Sequence, residues 1–175
     1  PVMQQILAGR LRAVLGGEKR FVCALFSDIR GYTARSEGMT PEQVVHFLNR
    51  YFEEAVALIH ARGGTVTSFM GDGIMAVFGA PNALDNPCLA AFEAGRDLLC
   101  NVERFNGEAA RRGEQPLEIG VGLHAGDAVV GHIGASTRHD YTAVGDVINV
   151  ASRLEGLTKD AGVGLACSRT VADNL

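Results

Sequence analysis

Two strand-like runs, Thr65 to Met70 and Ile74 to Phe78, are joined by Gly71-Asp72-Gly73, and this short stretch restricts the possible folds more than any other. An Asp-Gly step tolerates the positive φ of a tight primed turn, so the two runs are expected to pair as an antiparallel hairpin with a carboxylate at its tip. A lone two-stranded hairpin is marginally stable in water. It needs further strands beside it and helices over its apolar face.

The flanking sequence offers both. Thr40-Pro41-Glu42-Gln43 reads as a capping box with proline in the first turn, and Val44, Leu48, Phe52, Val56 and Ile59 recur behind it until Gly63-Gly64. A second long helix is expected from Asn86-Pro87, with Leu89, Phe92, Leu99, Val102 and Phe105 on one side. Phe21 to Phe26 reads as a buried strand running into Ser27-Asp28-Ile29-Arg30-Gly31-Tyr32-Thr33. Leu117 to His124 and Ala128 to Ile133 are expected to form another hairpin around Gly126-Asp127. After a polar loop at residues 135–140 come a short strand, a helix bearing Asn149 and Arg153, and a last strand near Val163 to Cys167.

Strands that occur singly and in hairpins between long helices predict an α+β fold. It is one mainly antiparallel sheet with helices packed on it, in the order β-α-β-β-α-β-β-α-β. Residues 1–18 read as a lead-in helix and linker, because apolar residues from Val2 to Leu15 recur at near-helical intervals before Gly16-Gly17. Residues 19–175 form the remaining domain. A chain of 175 residues that is 47% hydrophobic can bury a core without disulfides or metal staples. Its cysteines, Cys23, Cys88, Cys100 and Cys167, have no zinc-type spacing and read as reduced thiols of a cytoplasmic protein.

The six residues Phe21 to Phe26 are the longest apolar run, and a membrane span needs about 20. A net charge of −4 argues against a nucleic-acid partner. The chain opens at Pro1, which fits a domain taken from a longer protein with a regulatory region upstream.

Asp28 ends an apolar strand and Asp72 sits at a hairpin tip, so the two carboxylates are placed to face each other across a sheet. Sparse carboxylate sites completed by water and substrate phosphates suit magnesium. Taken singly, each aspartate is better explained as a cap or a turn residue. Asn149 and Arg153, four apart on a helix, share one face and present an amide and a guanidinium suited to a phosphate.

Four segments, in order, resemble the motifs of one family. Phe26-Ser-Asp-Ile-Arg-Gly-Tyr-Thr33, Phe69-Met-Gly-Asp-Gly-Ile-Met-Ala-Val-Phe78, Gly122-Leu-His-Ala-Gly126 and Asp140-Tyr-Thr-Ala-Val-Gly-Asp-Val-Ile-Asn-Val-Ala-Ser-Arg-Leu-Glu155 are similar to those of class III nucleotidyl (adenylate or guanylate) cyclase catalytic domains. The resemblance implies a palm-type, ferredoxin-like fold. It also implies two divalent metal ions, Mg2+ or Mn2+, held by Asp28, Asp72 and the carbonyl of Ile29. Asn149 and Arg153 match the pair that orients the ribose and stabilises the transition state at the α-phosphate. The segment Arg30, Gly31, Tyr32 and Thr33 matches the cradle for the outer phosphates.

In this family each site is shared across a head-to-tail dimer, and one chain with both residue sets resembles a homodimer. The resemblance further implies conversion of ATP or GTP to the 3′,5′-cyclic monophosphate and pyrophosphate. Alternatives are a guanylate cyclase proper, or a catalytically weak nucleotide-binding or dimerisation module.

Two departures stand out. The base-reading positions, lysine with aspartate or threonine in adenylate cyclases, hold Ser68 and Thr142, with Met70 and Ala143 nearby. Hydroxyls donate or accept as they rotate, so they discriminate adenine from guanine weakly; Thr142 favours ATP. The family's C-terminal hairpin, which carries a phosphate-binding lysine, has no counterpart before Leu175.

Overall fold

The structure is a computed structural model that describes residues 16–111, 113, 115–135 and 138–175. The lead-in helix expected over residues 2–15 lies outside the described residues.

Strand β1 spans Gly16–Ile29, longer than the apolar run that announced it, and the short helix α1 (Tyr32–Ser36) follows. Helix α2 spans Pro41–Ala61 and carries the expected capping box: Gln43 N–H donates to Thr40 Oγ1 at 3.4 Å, and Thr40 N–H to Gln43 Oε1 at 2.8 Å. The hairpin of β2 (Thr65–Met70) and β3 (Gly73–Phe78) comes next, then helix α3 (Pro87–Arg111). Strands β4 (Ile119–Ala135) and β5 (Arg138–Val144), helix α4 (Asp146–Ala161), strand β6 (Leu165–Cys167) and the short α5 (Arg169–Ala172) complete the chain.

The sheet runs β2-β3-β1-β4-β5, with β6 also paired to β4. The β4–β6 pairing is parallel and the others are antiparallel. Apart from α1, α5 and the fusion of the two strands expected at 117–124 and 128–133 into the single β4, the elements follow the expected order. The second hairpin is different. Gly126 and Asp127 do not turn: they pair with Val22 and Phe21 of β1 in an unbroken ladder from Gly16–His132 to Ile29–Ile119. A long partner strand holds the Gly-Asp step extended and overrides its turn preference. The chain reverses later, between Ala135 and Arg138, which pair with each other, so the expected loop at 135–140 is mostly strand.

Alternation along β1 divides the apolar residues between two layers. Cys23, Leu25 and Ile29 face α2 and α3, where they meet Tyr51, Ile59, Phe78, Leu98 and Leu123. Val22, Ala24 and Phe26 face the other way, into a smaller cluster with Met75, Val77, Val130, Val147 and Ala151 under α4. Of the stripe expected on α3, Val102 and Phe105 are buried and Phe92 and Leu99 pack against the core, but Leu89 is exposed, and Ala91, Ala94, Gly95 and Leu98 are buried as well. Small residues let α3 approach closely. A Cβ on Gly95 would stand 2.8 Å from Leu165 Cδ1.

All four cysteines are free thiols. Among the described residues, no helix is long and apolar enough to cross a membrane.

Candidate active site

Asp28 is the penultimate residue of β1, and Asp72 is the second of the two residues that turn β2 into β3. The register of β1 with β3, Ser27 opposite Ile74, brings Asp28 beside Gly73 at the foot of that turn. The positive φ of the turn falls on Gly71, at 64°, not on the Asp-Gly step where sequence reasoning put it. Glycine in the first central position is the usual requirement of such a two-residue turn.

Asp28 Oδ1 accepts the N–H of Ile29 at 3.1 Å, and Asp72 is near enough to act on the Asp28 carboxyl. Burial, then the Asp72 carboxyl, then the charge of Glu155 push Asp28 up to about 6, against the lowering effect of the Ile29 bond. Burial is likewise the main cause that raises Glu155; the Arg30 guanidinium opposes it and Asp72 adds to it. Asp28 and Glu155 are both raised at this end of the sheet, and a cation bound there would offset the cost of ionising them.

Phe26, Ser27, Asp28, Met70, Gly73, Ser152 and Glu155 line a cleft of about 100 Å³ there. No three described His, Cys, Asp or Glu residues converge closely enough to hold a metal by themselves. The donor set is therefore two carboxylates with oxygen chemistry, which fits a hard divalent cation that keeps water or substrate phosphate in its remaining positions.

Ser152 and Glu155 carried no role in the sequence reading. They enter the cleft because α4 lies directly on two glycines of β4: a Cβ on Gly122 would stand 2.2 Å from Glu155 N and 2.3 Å from Ala151 O, and one on Gly120 2.4 Å from Glu155 Oε1. The available signal was the Gly-x-Gly step on a strand, which leaves room for a helix backbone.

With Val147, Ala151 and Thr158 buried against the sheet, Asn149 and Arg153 stand about half a turn away at 100° per residue. Both are exposed, and neither lines the cleft of their own chain. The structure brings Asp28 and Asp72 together and turns Asn149 and Arg153 outward.

The other expected site residues are scattered. Ser68 and Thr142 are half-buried on β2 and β5, the two ends of the strand order, which the curl of the sheet brings into contact. Ser68 Oγ makes only a 3.5 Å contact with the carbonyl of Phe69. Met70 is exposed at the Asp28 cleft, while Ala143 is buried in the α4-side cluster. The Arg30 guanidinium bonds to the Val163 carbonyl and lies 3.7 Å from Glu118, and Gly31, with φ 65°, caps α1 ahead of a half-buried Tyr32 and an exposed Thr33.

The family described as "Adenylate and Guanylate cyclase catalytic domain" matches residues 17–173. Adenylate cyclase 1 of Rhizobium meliloti (strain 1021) is 40% identical over 150 residues, which are 86% of this chain and 23% of that protein. An adenylate cyclase of Anabaena cylindrica is 38% identical over 160 residues, 89% of this chain and 31% of its own length. The chain thus spans under a third of these curated relatives. Among solved structures, the guanylyl cyclase Cya2 superposes with a TM-score of 0.83 at 38% identity, covering 91% of this chain and 80% of that one. The adenylyl cyclase CyaB from P. aeruginosa gives 0.84 at 32% identity, covering 91% and 82%.

Proposed function

The chain belongs to the family of adenylate and guanylate cyclase catalytic domains, and from that membership we propose that it converts ATP to 3′,5′-cyclic AMP and pyrophosphate at sites shared by two copies of itself. The observation that carries this reading is the two-sided helix α4, which offers Ser152 and Glu155 to its own Asp28 cleft while Asn149 and Arg153 face away from it. Neither half can reach a whole substrate alone. A second copy, antiparallel to the first, completes both sites. Exposed Phe69, Met70, Val129 and Val144 supply apolar surface for such an interface.

In the reaction the substrate's 3′-oxygen forms a bond to the α-phosphorus while the bond from that phosphorus to the bridging oxygen breaks. Pyrophosphate leaves and the hydroxyl proton passes to solvent. Asp28, Asp72 and the Ile29 carbonyl would hold two divalent cations, Mg2+ or Mn2+, which when bound lower the pKa of the attacking hydroxyl and offset the leaving charge. Arg153 of the second copy stabilises charge developing on the α-phosphate oxygens, and Asn149 orients the ribose. Because the Arg30 side chain is engaged with Val163 and Glu118, the phosphate cradle rests on the backbone of Gly31 to Thr33.

Ser68 and Thr142 face the purine from the same subunit as Asn149. Thr142 and the relatives named adenylate cyclase favour ATP; the guanylyl cyclase Cya2 keeps GTP as the second reading. The curated relatives are several times longer than this chain, which leaves room in a parent protein for the upstream regulatory region we propose.

The test is to incubate the dimeric domain with ATP and with GTP plus Mg2+ or Mn2+, and to identify the products by mass spectrometry. Cyclic AMP is the expected main product. A folded dimer that binds nucleotide without forming any cyclic product would replace this reading with a binding module.

A further inference from the structure

A groove of about 710 Å³, larger than the acidic cleft, is bounded by α1, α2, α3 and the segment leading into β4, within the range of small-molecule sites. Its floor is a stacked row. The Arg35 guanidinium lies 4.9 Å from the centre of the Phe47 ring, Phe47 meets Phe105 edge-on at 6.1 Å, and the Arg50 guanidinium lies 4.5 Å from the centre of Phe105.

Both guanidiniums are fixed in place. Arg35 donates to the carbonyls of Gln115 at 2.8 Å and Pro116 at 3.0 Å, and Arg50 pairs with Glu108. Carbonyls hold Arg35 in position without neutralising it; with Nε buried, one N–H on each of Nη1 and Nη2 is left to donate. Met39, Gln43 and exposed His46 complete the walls, and none of the described lining residues is Asp or Glu, although the chain carries a net charge of −4. The adjoining smaller hollow, reached past His46, does carry Glu42.

We propose that this groove binds a small organic anion, an aromatic or aliphatic body with a single carboxylate. The body covers Met39 and the Phe47–Phe105 pair, and the carboxylate meets Arg35 with His46 at the rim. A planar guanidinium already stacked on a ring loses little freedom on binding and matches a carboxylate's geometry. The groove shares no lining residue with the Asp28 cleft, and its wall starts at Ala34, next to the segment Arg30 to Thr33.

The test uses 1-naphthoate, with 1-naphthylmethylammonium and 1-naphthylmethanol as charge controls, titrated into the purified protein by calorimetry and by backbone amide NMR. Two variants keep the fold. Gly38→Phe fills the groove from a position where a Cβ meets nothing nearer than 4.0 Å, and His46→Glu puts a carboxylate on an exposed helix position. Saturable naphthoate binding is expected, with shifts at residues 34–50 and at Phe105. Binding should weaken at least about tenfold for His46→Glu and be lost for Gly38→Phe, and both controls should bind at least about tenfold more weakly. Naphthoate binding that both variants leave unchanged, equal binding of the ammonium probe, or no saturable binding would overturn the proposal. So would saturation by an acidic amphipathic peptide where naphthoate fails, which would make the groove a protein-docking surface.

Discussion

Gly73 lies so close to Asp28 that a Cβ on residue 73 would stand 3.2 Å from Asp28 Oδ1, and 3.3 Å and 3.4 Å from the Met70 and Ser27 carbonyl oxygens. The carboxylate is the softest of the three neighbours. In a Gly73→Ala variant it yields first and moves by a few tenths of an ångström, while the fold persists because Gly73 has no positive φ to lose. Cyclase activity is expected to fall about tenfold with a melting temperature close to wild type, because small misplacements of reacting groups are costly. Parallel activity and thermal-melt measurements check it, and full activity would show that Asp28 tolerates displacement.

The crowding of Asp28 by Asp72 and Glu155 gives a signed pH dependence. Its carboxyl is raised from an ordinary 3.8 to about 6 in the folded, metal-free chain, so the folded state holds this proton more tightly than the unfolded state does. Stability from this group is therefore present below about pH 4 and is lost as pH rises through about 6. Metal-free Asp28→Asn should melt above metal-free wild type at pH 7, and the gap should close toward pH 4. Adding Mg2+ should raise the wild-type melting temperature at pH 7 and leave Asp28→Asn unmoved. A gap that is constant across the pH range would remove Asp28 as its cause.

Helix α4 is seated on bare backbone, so its position depends on Gly122. A Gly122→Ala side chain would meet Glu155 N at 2.2 Å and Ala151 O at 2.3 Å, and backbone atoms cannot rotate aside. The variant is expected to lose about 3 kcal/mol of stability, the upper part of the usual overpacking range. Both faces of the helix would shift together. Denaturant melts measure the first effect and activity at low temperature the second; an unperturbed stability would mean that the helix sits farther out.

Asp28 and Arg153 on opposite sides of the shared-site scheme predict complementation. Asp28→Ala and Arg153→Ala homodimers should each be inactive. In an equal, exchanged mixture half of the dimers are mixed and each rebuilds one of two sites, so activity should recover to about a quarter of wild type. Verified mixed dimers with no activity would contradict sites built from two chains.

Legibility in the sequence followed the range of the interactions. The Thr40–Gln43 capping box and the hairpin at Gly71-Asp72 depend on neighbours in the chain, and both stand in the structure. The Gly126-Asp127 step looked the same locally, but pairing with Phe21 and Val22, a hundred residues away, straightened it. The burial of Ala91, Ala94 and Gly95 in place of Leu89 escaped notice because hydrophobicity does not report how closely a helix must approach. In the site, strand ends were enough to suggest that Asp28 and Asp72 meet. Glu155 was invisible as a member of that cluster because its direction depends on which face of α4 lies on Gly120 and Gly122.

Ser68 offers the most direct lever on the choice of base. Its hydroxyl makes only the 3.5 Å contact to Phe69, so replacement breaks no strong bond. Lysine at this position, as in adenylate cyclases, donates to the N1 acceptor of adenine, and buried against guanine it would face an N1–H donor. Glutamate does the reverse, accepting from N1–H and N2–H of guanine while repelled by the acceptor of adenine. An unpaired buried charge is a stronger discriminator than a hydroxyl that can rotate. Ser68→Lys is therefore expected to raise the ATP-to-GTP ratio of kcat/KM at least about tenfold, and Ser68→Glu to lower it by a similar factor, each near 1.4 kcal/mol. Competition assays with both nucleotides present give this ratio directly. If neither variant shifts it, position 68 does not contact the base, and recognition lies with Thr142 and the backbone around it.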